Sequence, residues 1–206
     1  METIQPSIYR LTAPERLSGH VNLPPSKSIS NRALIIRALS GGQQEVGNLS
    51  TCDDTQVMLR ALTDESPSKD VESSGTSMRF LTAYLATLNG QFTIDGTDRM
   101  RQRPIGSLVD ALRQCGAHID YMGNGGYPPL IIKGRQLEGG TVSMKGNISS
   151  QFVSALLMIG PVMQRGLRLK LEGEIISRPY IDLTIEMMQE AGAQVNWADN
   201  NNELRV

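Results

Sequence analysis

Cysteine, aromatic residues and any surplus of charge are all scarce in this 206-residue chain, and each scarcity excludes something. Cys52 and Cys115 are its two cysteines, too few for a disulfide framework, so a reducing, cytoplasmic setting is expected. Aromatic residues make up 4% of the chain, and 20 Lys and Arg stand against 21 Asp and Glu for a formal charge of -1. That balance supplies neither a basic field nor a stacking platform, and nucleic acid is not an expected partner. The opening METIQPSIYRL lacks the apolar core of a signal peptide, and the longest apolar stretch, 152–163, is short and contains Pro161. No membrane partner is expected. Metal-ligand spacings, a P-loop and a dinucleotide fingerprint are missing. A site for an anion must therefore be local.

Three serine- and glycine-rich turns run directly into apolar helices: SKSISNRALIIRALSGG, SSGTSMRFLTAYLATLNG and GNISSQFVSALLMIGPVMQRG. A helix start has free backbone N–H groups and favours negative charge, so three of them in one fold point to a polyanionic ligand. A strand, a loop, a second helix and a further strand follow, most clearly in the last two units. The serine-led helices (33–39, 80–88, 152–163) are apolar nearly all round and read as buried; the second helices, with Leu108, Val109 and Leu112 or Leu183, Ile185, Met187 and Met188 on one face, read as amphipathic. In the first unit 46–49 reads as a strand and 53–62 as a helix with Asp53 or Asp54 as its cap, while 63–72 reads as a polar segment without a strand. The expected fold is α/β: a pseudo-threefold arrangement of buried helices wrapped by short mixed sheets, in units of about 19–72, 73–140 and 141–206.

Chemistry gathers at the turns. In Pro24-Pro25-Ser26-Lys27-Ser28-Ile29-Ser30-Asn31-Arg32 the prolines extend the entry, Ser26, Ser28 or Ser30 can cap, and Lys27 is a point cation suited to phosphate or carboxylate. A serine beside a lysine is ordinarily just a cap. Arg32, one turn into an apolar helix, argues for more, because a buried guanidinium is costly unless paired. In Ser74-Gly75-Thr76-Ser77 the glycine permits close approach to the backbone and Thr76 can cap. Arg99, Arg101 and Arg103 alternate as in an extended segment, and Arg103, fixed by Pro104, is the one expected to act. Ser149, Ser150, Gln151, Ser177 and Tyr180 offer hydroxyls, an amide and a phenol to a polyhydroxylated, phosphorylated ligand. Taken singly they are caps and a packed ring. Cys115 and His118 are expected to be structural.

PPSKSISNRAL, SGTSMR, RQRPIGSLVDALRQCGA, GYPPL, ISSQFVSALLM and SRPYIDLT, in this order, resemble the 5-enolpyruvylshikimate-3-phosphate synthase family from about Val21 onward. The resemblance implies βαβαββ units forming half of the two-domain enolpyruvyl transferase fold. It also implies transfer of the enolpyruvyl group of phosphoenolpyruvate to the 5-hydroxyl of shikimate 3-phosphate, with release of phosphate and without cofactor. By resemblance, Lys27 is catalytic and meets both substrates; Ser28 and Arg32 hold shikimate 3-phosphate; Gly75 and Arg103 bind phosphoenolpyruvate beside Thr76, with Arg79 in support. Ser149, Ser150, Gln151, Ser177 and Tyr180 surround shikimate 3-phosphate, Gln151 reaching phosphoenolpyruvate as well. The proton-shuttling carboxylates and further cationic ligands belong to a second domain, so this chain is expected to be the shikimate-phosphate-binding half, monomeric and inactive alone, with residues 1–18 packing on the missing domain. Phe80 and Ser73 depart from the family's usual residues.

A relative acting on a UDP-amino sugar shares the fold, but its lysine-asparagine entry is not seen and Cys115 lies in a helix pattern rather than a mobile loop. A phosphate-binding module without turnover is the other reading of the isolated chain.

Overall fold

Two four-stranded sheets repeat one topology. In a computed structural model, which describes residues 9–10, 12–16, 18–42, 45–198 and 202–206, the chain runs α1 (Lys27–Ser40), α2 (Asp53–Thr63), β1 (Ser68–Asp70), α3 (Gly75–Thr87), β2 (Gly90–Asp95), α4 (Asp98–Arg101), α5 (Gly106–Gln114), β3 (His118–Tyr121), β4 (Leu130–Gly134), β5 (Gly140–Lys145), α6 (Ser150–Ile159), a 3-10 turn (Gly160–Val162), β6 (Leu167–Glu172), α7 (Arg178–Glu190), β7 (Asn196–Trp197) and β8 (Glu203–Arg205). The sheet orders are β1-β2-β4-β3 and β5-β6-β8-β7. In each, the first pair is parallel and the other two antiparallel. The parallel pairs need a crossover, and α3 and α6 supply it.

Burial follows the sequence periods. In β6, Leu167, Leu169 and Leu171 face inward while Arg168, Lys170 and Glu172 face water, the period-2 pattern of a sheet with one buried face. α5 buries one stripe, Leu108, Val109, Ala111 and Leu112. In α6, everything from Phe152 to Ile159 is buried, and α3 is buried through most of its length. α1, α3 and α6 pack on one another, and α1 also packs on α2 and α7.

The first unit differs from expectation in three ways. Residues 46–49 form no strand: Asn48 has φ 52, in the left-handed region, which breaks an extended run. Its helix α1 is not buried all round; within 33–39, Ala33, Ile36 and Leu39 are only partly covered. Within 63–72, expected to be strandless, Ser68–Asp70 forms β1 and pairs with Thr93, Ile94 and Asp95. So polar a segment can be an edge strand because only Lys69 turns inward, and its ammonium donates to the Asp64 carbonyl. Most of the segment 1–18, including all of 1–8, lies outside the described residues.

Candidate functional site

Helix starts, rather than a closed cavity, build the site. Ser26 caps α1, its hydroxyl accepting from Ile29 N at 3.4 Å. Ser74, not Thr76, caps α3 by accepting from Ser77 N at 3.2 Å, and Ser149 caps α6 by accepting from Gln151 N at 3.4 Å. Thr76 is thereby free to accept a 3.2 Å bond from Gln151 Nε2, which ties the α3 and α6 starts together. The Ser77 hydroxyl donates to the main-chain oxygen of Asp54 at 3.3 Å, which ties α3 to α2. Cys52, rather than Asp53 or Asp54, occupies the α2 cap position, and the two aspartates lie in its first turn, where the helix dipole favours them.

The cations around these starts divide by partner. Lys27 is half-exposed, and its ammonium donates to Asp54 Oδ2 at 2.7 Å. That hydrogen bond raises the Lys27 pKa above its ordinary value, against burial and the neighbouring Arg103. Asp54 is a residue that sequence reasoning named only as a cap; 27 positions separate it from Lys27, and no local signal joins them. Burial pushes its carboxyl up, but Lys27, Ser74 and Arg103 outweigh it and hold the pKa below the usual value.

Arg32 is buried. Nε donates to Thr184 Oγ1 at 2.7 Å, Nη1 to Ser28 O at 2.9 Å, and Nη2 to Ser154 Oγ at 3.0 Å and Tyr180 O at 3.3 Å. The guanidinium also lies 5.4 Å from the centre of the Phe80 ring. It therefore joins the starts of α1 and α7 to α6. Ser154 was missed, although a lone hydroxyl in the apolar run FVSALLMI is a legible signal. Burial lowers the Arg32 pKa to about 10.

Arg79 sits at the corresponding turn of α3, its Nη1 donating to Gly75 O at 2.8 Å and its guanidinium 5.2 Å from the centre of the Phe152 ring. Its Nε has no partner among the described residues. Burial, with Arg103 nearby, takes its pKa to about 10 as well. A buried cation so poorly compensated strains the fold while it raises the local positive potential. Arg79→Met is accordingly expected to stabilise the chain by about 1–2 kcal/mol, a rise of roughly 2–8 °C in melting temperature, while weakening anion binding. Thermal unfolding checks the sign, and a fall would mean that stacking on Phe152 outweighs the desolvation.

Arg103 reaches the α3 start from outside. Its Nη1 donates to Ser73 O at 3.2 Å, and its guanidinium lies so close to Gly75 that a Cβ there would overlap it. The expected extended segment carrying three arginines on one side is in fact a helical turn, α4, closed by Arg101 N donating to Thr97 O at 3.1 Å. The turn points Arg101 to Asp95, at 2.7 Å, while Arg103 reaches the α3 start. Arg178, in the matching Arg-Pro of the third unit, is instead held 3.6 Å from Asp182 and 4.3 Å from the Trp197 ring centre.

Ser28 is partly buried, Ser150 is buried and Ser149 exposed at the α6 start, with Gln151 between them in burial. Ser177 has φ 55, unusual for a residue other than glycine, and places the start of α7 so that Tyr180 is 49% exposed. Tyr180 enters the network through its main-chain oxygen, which Arg32 and Thr184 share. Burial raises the Cys115 thiol to about 11, the setting of an inert structural cysteine. No group of three or more His, Cys, Asp or Glu among the described residues could hold a metal, and no described helix is long and apolar enough to cross a membrane. A groove of about 230 Å³ lies at the opposite ends of α1 and α6; its lining, including Ile36, Leu39, Met158 and Met188, is uncharged and offers nothing to an anion.

The arrangement can hold a small molecule with two or more negative charges: helix starts supply N–H donors, Lys27 and Arg103 supply accessible charge, and Arg32 and Arg79 supply it from beneath. The family model of EPSP synthase (3-phosphoshikimate 1-carboxyvinyltransferase) matches residues 11–65 and 63–206. A 3-phosphoshikimate 1-carboxyvinyltransferase of Bacteroides fragilis is 57% identical over 194 residues, covering 94% of this chain and 47% of that protein. One from Tolumonas auensis is 41% identical over 210 residues, covering 89% of this chain and 49% of that protein. The solved EPSP synthase from Acinetobacter baumannii superposes with a TM-score of 0.77 at 23% identity, over 91% of this chain and 47% of that one, and shares its fold. The chain spans about half the length of the curated relatives it matches.

Proposed function

Because the chain belongs to the EPSP synthase family, we propose that it is the shikimate-3-phosphate-binding half of a cytoplasmic 3-phosphoshikimate 1-carboxyvinyltransferase, whose remaining ligands lie in residues outside this sequence. The observation that carries the reading is the meeting of Lys27, Arg103 and the bare Gly75 backbone at one helix start, tied to the α6 start through Gln151 and Thr76.

In this reading phosphoenolpyruvate sets its anionic groups against the α3 start and Arg103, while Lys27 reaches both substrates. Ser28, Ser149, Ser150, Gln151, Ser177 and Tyr180 surround shikimate 3-phosphate. Arg32 adds charge from beneath, with a second hydrogen on Nη1 beyond its bond to Ser28 O. The substrate's 5-oxygen bonds to C2 of the enol while C3 gains a proton and the hydroxyl loses one. The adduct then breaks its C2–O bond to phosphate, and C3 gives its proton back. Lys27, held protonated, neutralises charge as it develops on the departing phosphate. The carboxylates that would move the protons are expected in the other half.

Adding shikimate 3-phosphate to the 206-residue chain should shift the backbone amide resonances of Ser28, Ser150 and Ser177, and UDP-N-acetylglucosamine should leave them in place. No binding of shikimate 3-phosphate at millimolar concentration would refute the assignment. The chain alone should release no phosphate from the two substrates.

A further inference from the structure

The Lys27 ammonium stands on a flexible four-carbon stem, 48% exposed, and the bond that fixes it is the 2.7 Å contact to Asp54 Oδ2. Asp54 itself is well held. It sits in the first turn of α2, where its charge is favoured. Its main-chain oxygen accepts from Ser77 of α3 at 3.3 Å, and the Ser74 hydroxyl, the α3 cap, lies near enough to favour the ionised carboxyl. An anchor shared by two helices thus holds the end of a mobile side chain. An ammonium has three donors, and Asp54 takes one.

We propose that Asp54 is the positioning residue for Lys27: it fixes the ammonium beside the α3 start with two N–H donors left for the substrate's anionic groups. This rests on the reading of Lys27 as a substrate ligand. Holding the cation in advance removes the cost of ordering a lysine when the substrate arrives. A carboxylate this close could instead act as a competitor for Lys27. The two roles predict opposite signs, since neutralising a competitor would tighten anion binding and releasing an anchor would weaken it.

The groups that act on Lys27 and Asp54 are Arg103, which lowers the lysine's pKa and the aspartate's, and Cys52, which raises the lysine's. Burial raises the Cys52 thiol, but Ser50 and Thr55 outweigh it and leave the thiol below its ordinary value. It therefore ionises before Lys27 does. In the folded chain Lys27 is expected to keep its proton to higher pH than an ordinary lysine, and to lose that advantage when Asp54 is replaced.

The test uses the 206-residue chain carrying Cys52→Ser, so that no thiol beside the Lys27–Asp54 pair titrates in the working range. The Lys27 Cε resonance is followed against pH without ligand, and shikimate 3-phosphate affinity is measured at pH 8 and pH 10. Asp54→Asn is expected to bring the Lys27 titration down in pH, and Asp54→Ala to weaken shikimate 3-phosphate binding by about tenfold. Asp54→Glu should recover most of that affinity. Arg32 and Arg79, with pKa values of about 10, lose charge over this range in parent and variant alike, so the ratio is read: Asp54→Asn should lose more affinity between pH 8 and pH 10 than its parent does. If Lys27→Met weakens binding while Asp54→Ala binds as tightly as its parent or more so, the positioning role is overturned and the assignment of the half-site stands. If the parent binds no shikimate 3-phosphate, the functional reading fails. An unchanged Lys27 titration in Asp54→Asn would overturn the positioning role independently of any ligand.

Discussion

Replacing Arg32 with alanine is expected to destabilise the chain by about 3 kcal/mol, a fall of roughly 6–12 °C in melting temperature. The reason lies in the number of its partners. Four hydrogen bonds tie Arg32 to Thr184, Ser28, Ser154 and Tyr180, and its guanidinium lies near the Phe80 ring. Alanine leaves a cavity, takes the donor from carbonyls and hydroxyls, and unties α1 from α6 and α7. Lysine should rescue little, because one ammonium cannot reproduce the planar fork. Arg79, with one hydrogen bond and an unpartnered Nε among the described residues, is expected to show the opposite sign when made apolar.

The two arginines also predict a pH effect. The folded-state pKa of Arg32 is lowered to about 10 by burial. Above that pH the unfolded chain binds more protons at this residue than the folded one, so stability from this group rises with pH. The gap in stability between the parent and Arg32→Ala should therefore widen as pH climbs past 10. Denaturant unfolding at pH 9 and pH 11 measures it, and a gap that narrows would contradict the burial argument.

Gly75→Ala should act in the opposite compartment, on binding with little effect on stability. The backbone at Gly75 is not in the left-handed region, and alanine is a good residue for the first turn of a helix. The obstacle is the Arg103 guanidinium, which a Cβ would overlap. Arg103 must then move away from Ser73 O and from the α3 start. Without the charge of Arg103 at that start, and with the approach to the backbone narrowed, phosphoenolpyruvate affinity is expected to fall about 100-fold. Shikimate 3-phosphate affinity should stay within about threefold, as the ligands proposed for it lie on α1, α6 and α7 or at their starts. A double-mutant cycle isolates the cause: in an Arg103→Ala background, Gly75→Ala should cost much less. Equal losses in both backgrounds would mean that the methyl group blocks the ligand directly and that displacement of Arg103 is not the mechanism.

The helix starts were legible because their signals are local. A serine followed by N–H groups that need an acceptor and then by an apolar run writes a start into a few consecutive letters, as at Ser26, Ser74 and Ser149. The cap within each turn was less legible. Ser74 rather than Thr76 caps α3, and that choice frees Thr76 for Gln151. Two local readings went astray where a short-range feature opposed the pattern. Asn48 turned an apparent strand into a bend, and the Thr97–Arg101 turn replaced an extended arginine run. The polar run containing β1 was missed because strand pairing is decided by the partner, here β2, more than by the run's own composition.

By itself the sequence determined the family, the helix–strand order of the last two units, the burial of α3 and α6 and which turns bear hydroxyls, because caps and periods of 2 and 3.6 act over a few residues. Tertiary structure alone decided the fate of each cation. Lys27 finds Asp54 across 27 positions, Arg103 finds Ser73 across 30, and Arg32 finds Thr184 across 152. Such pairs carry no periodic trace, since they form only where packed helices bring their starts together, and it is that packing which separates an accessible cation from a buried brace.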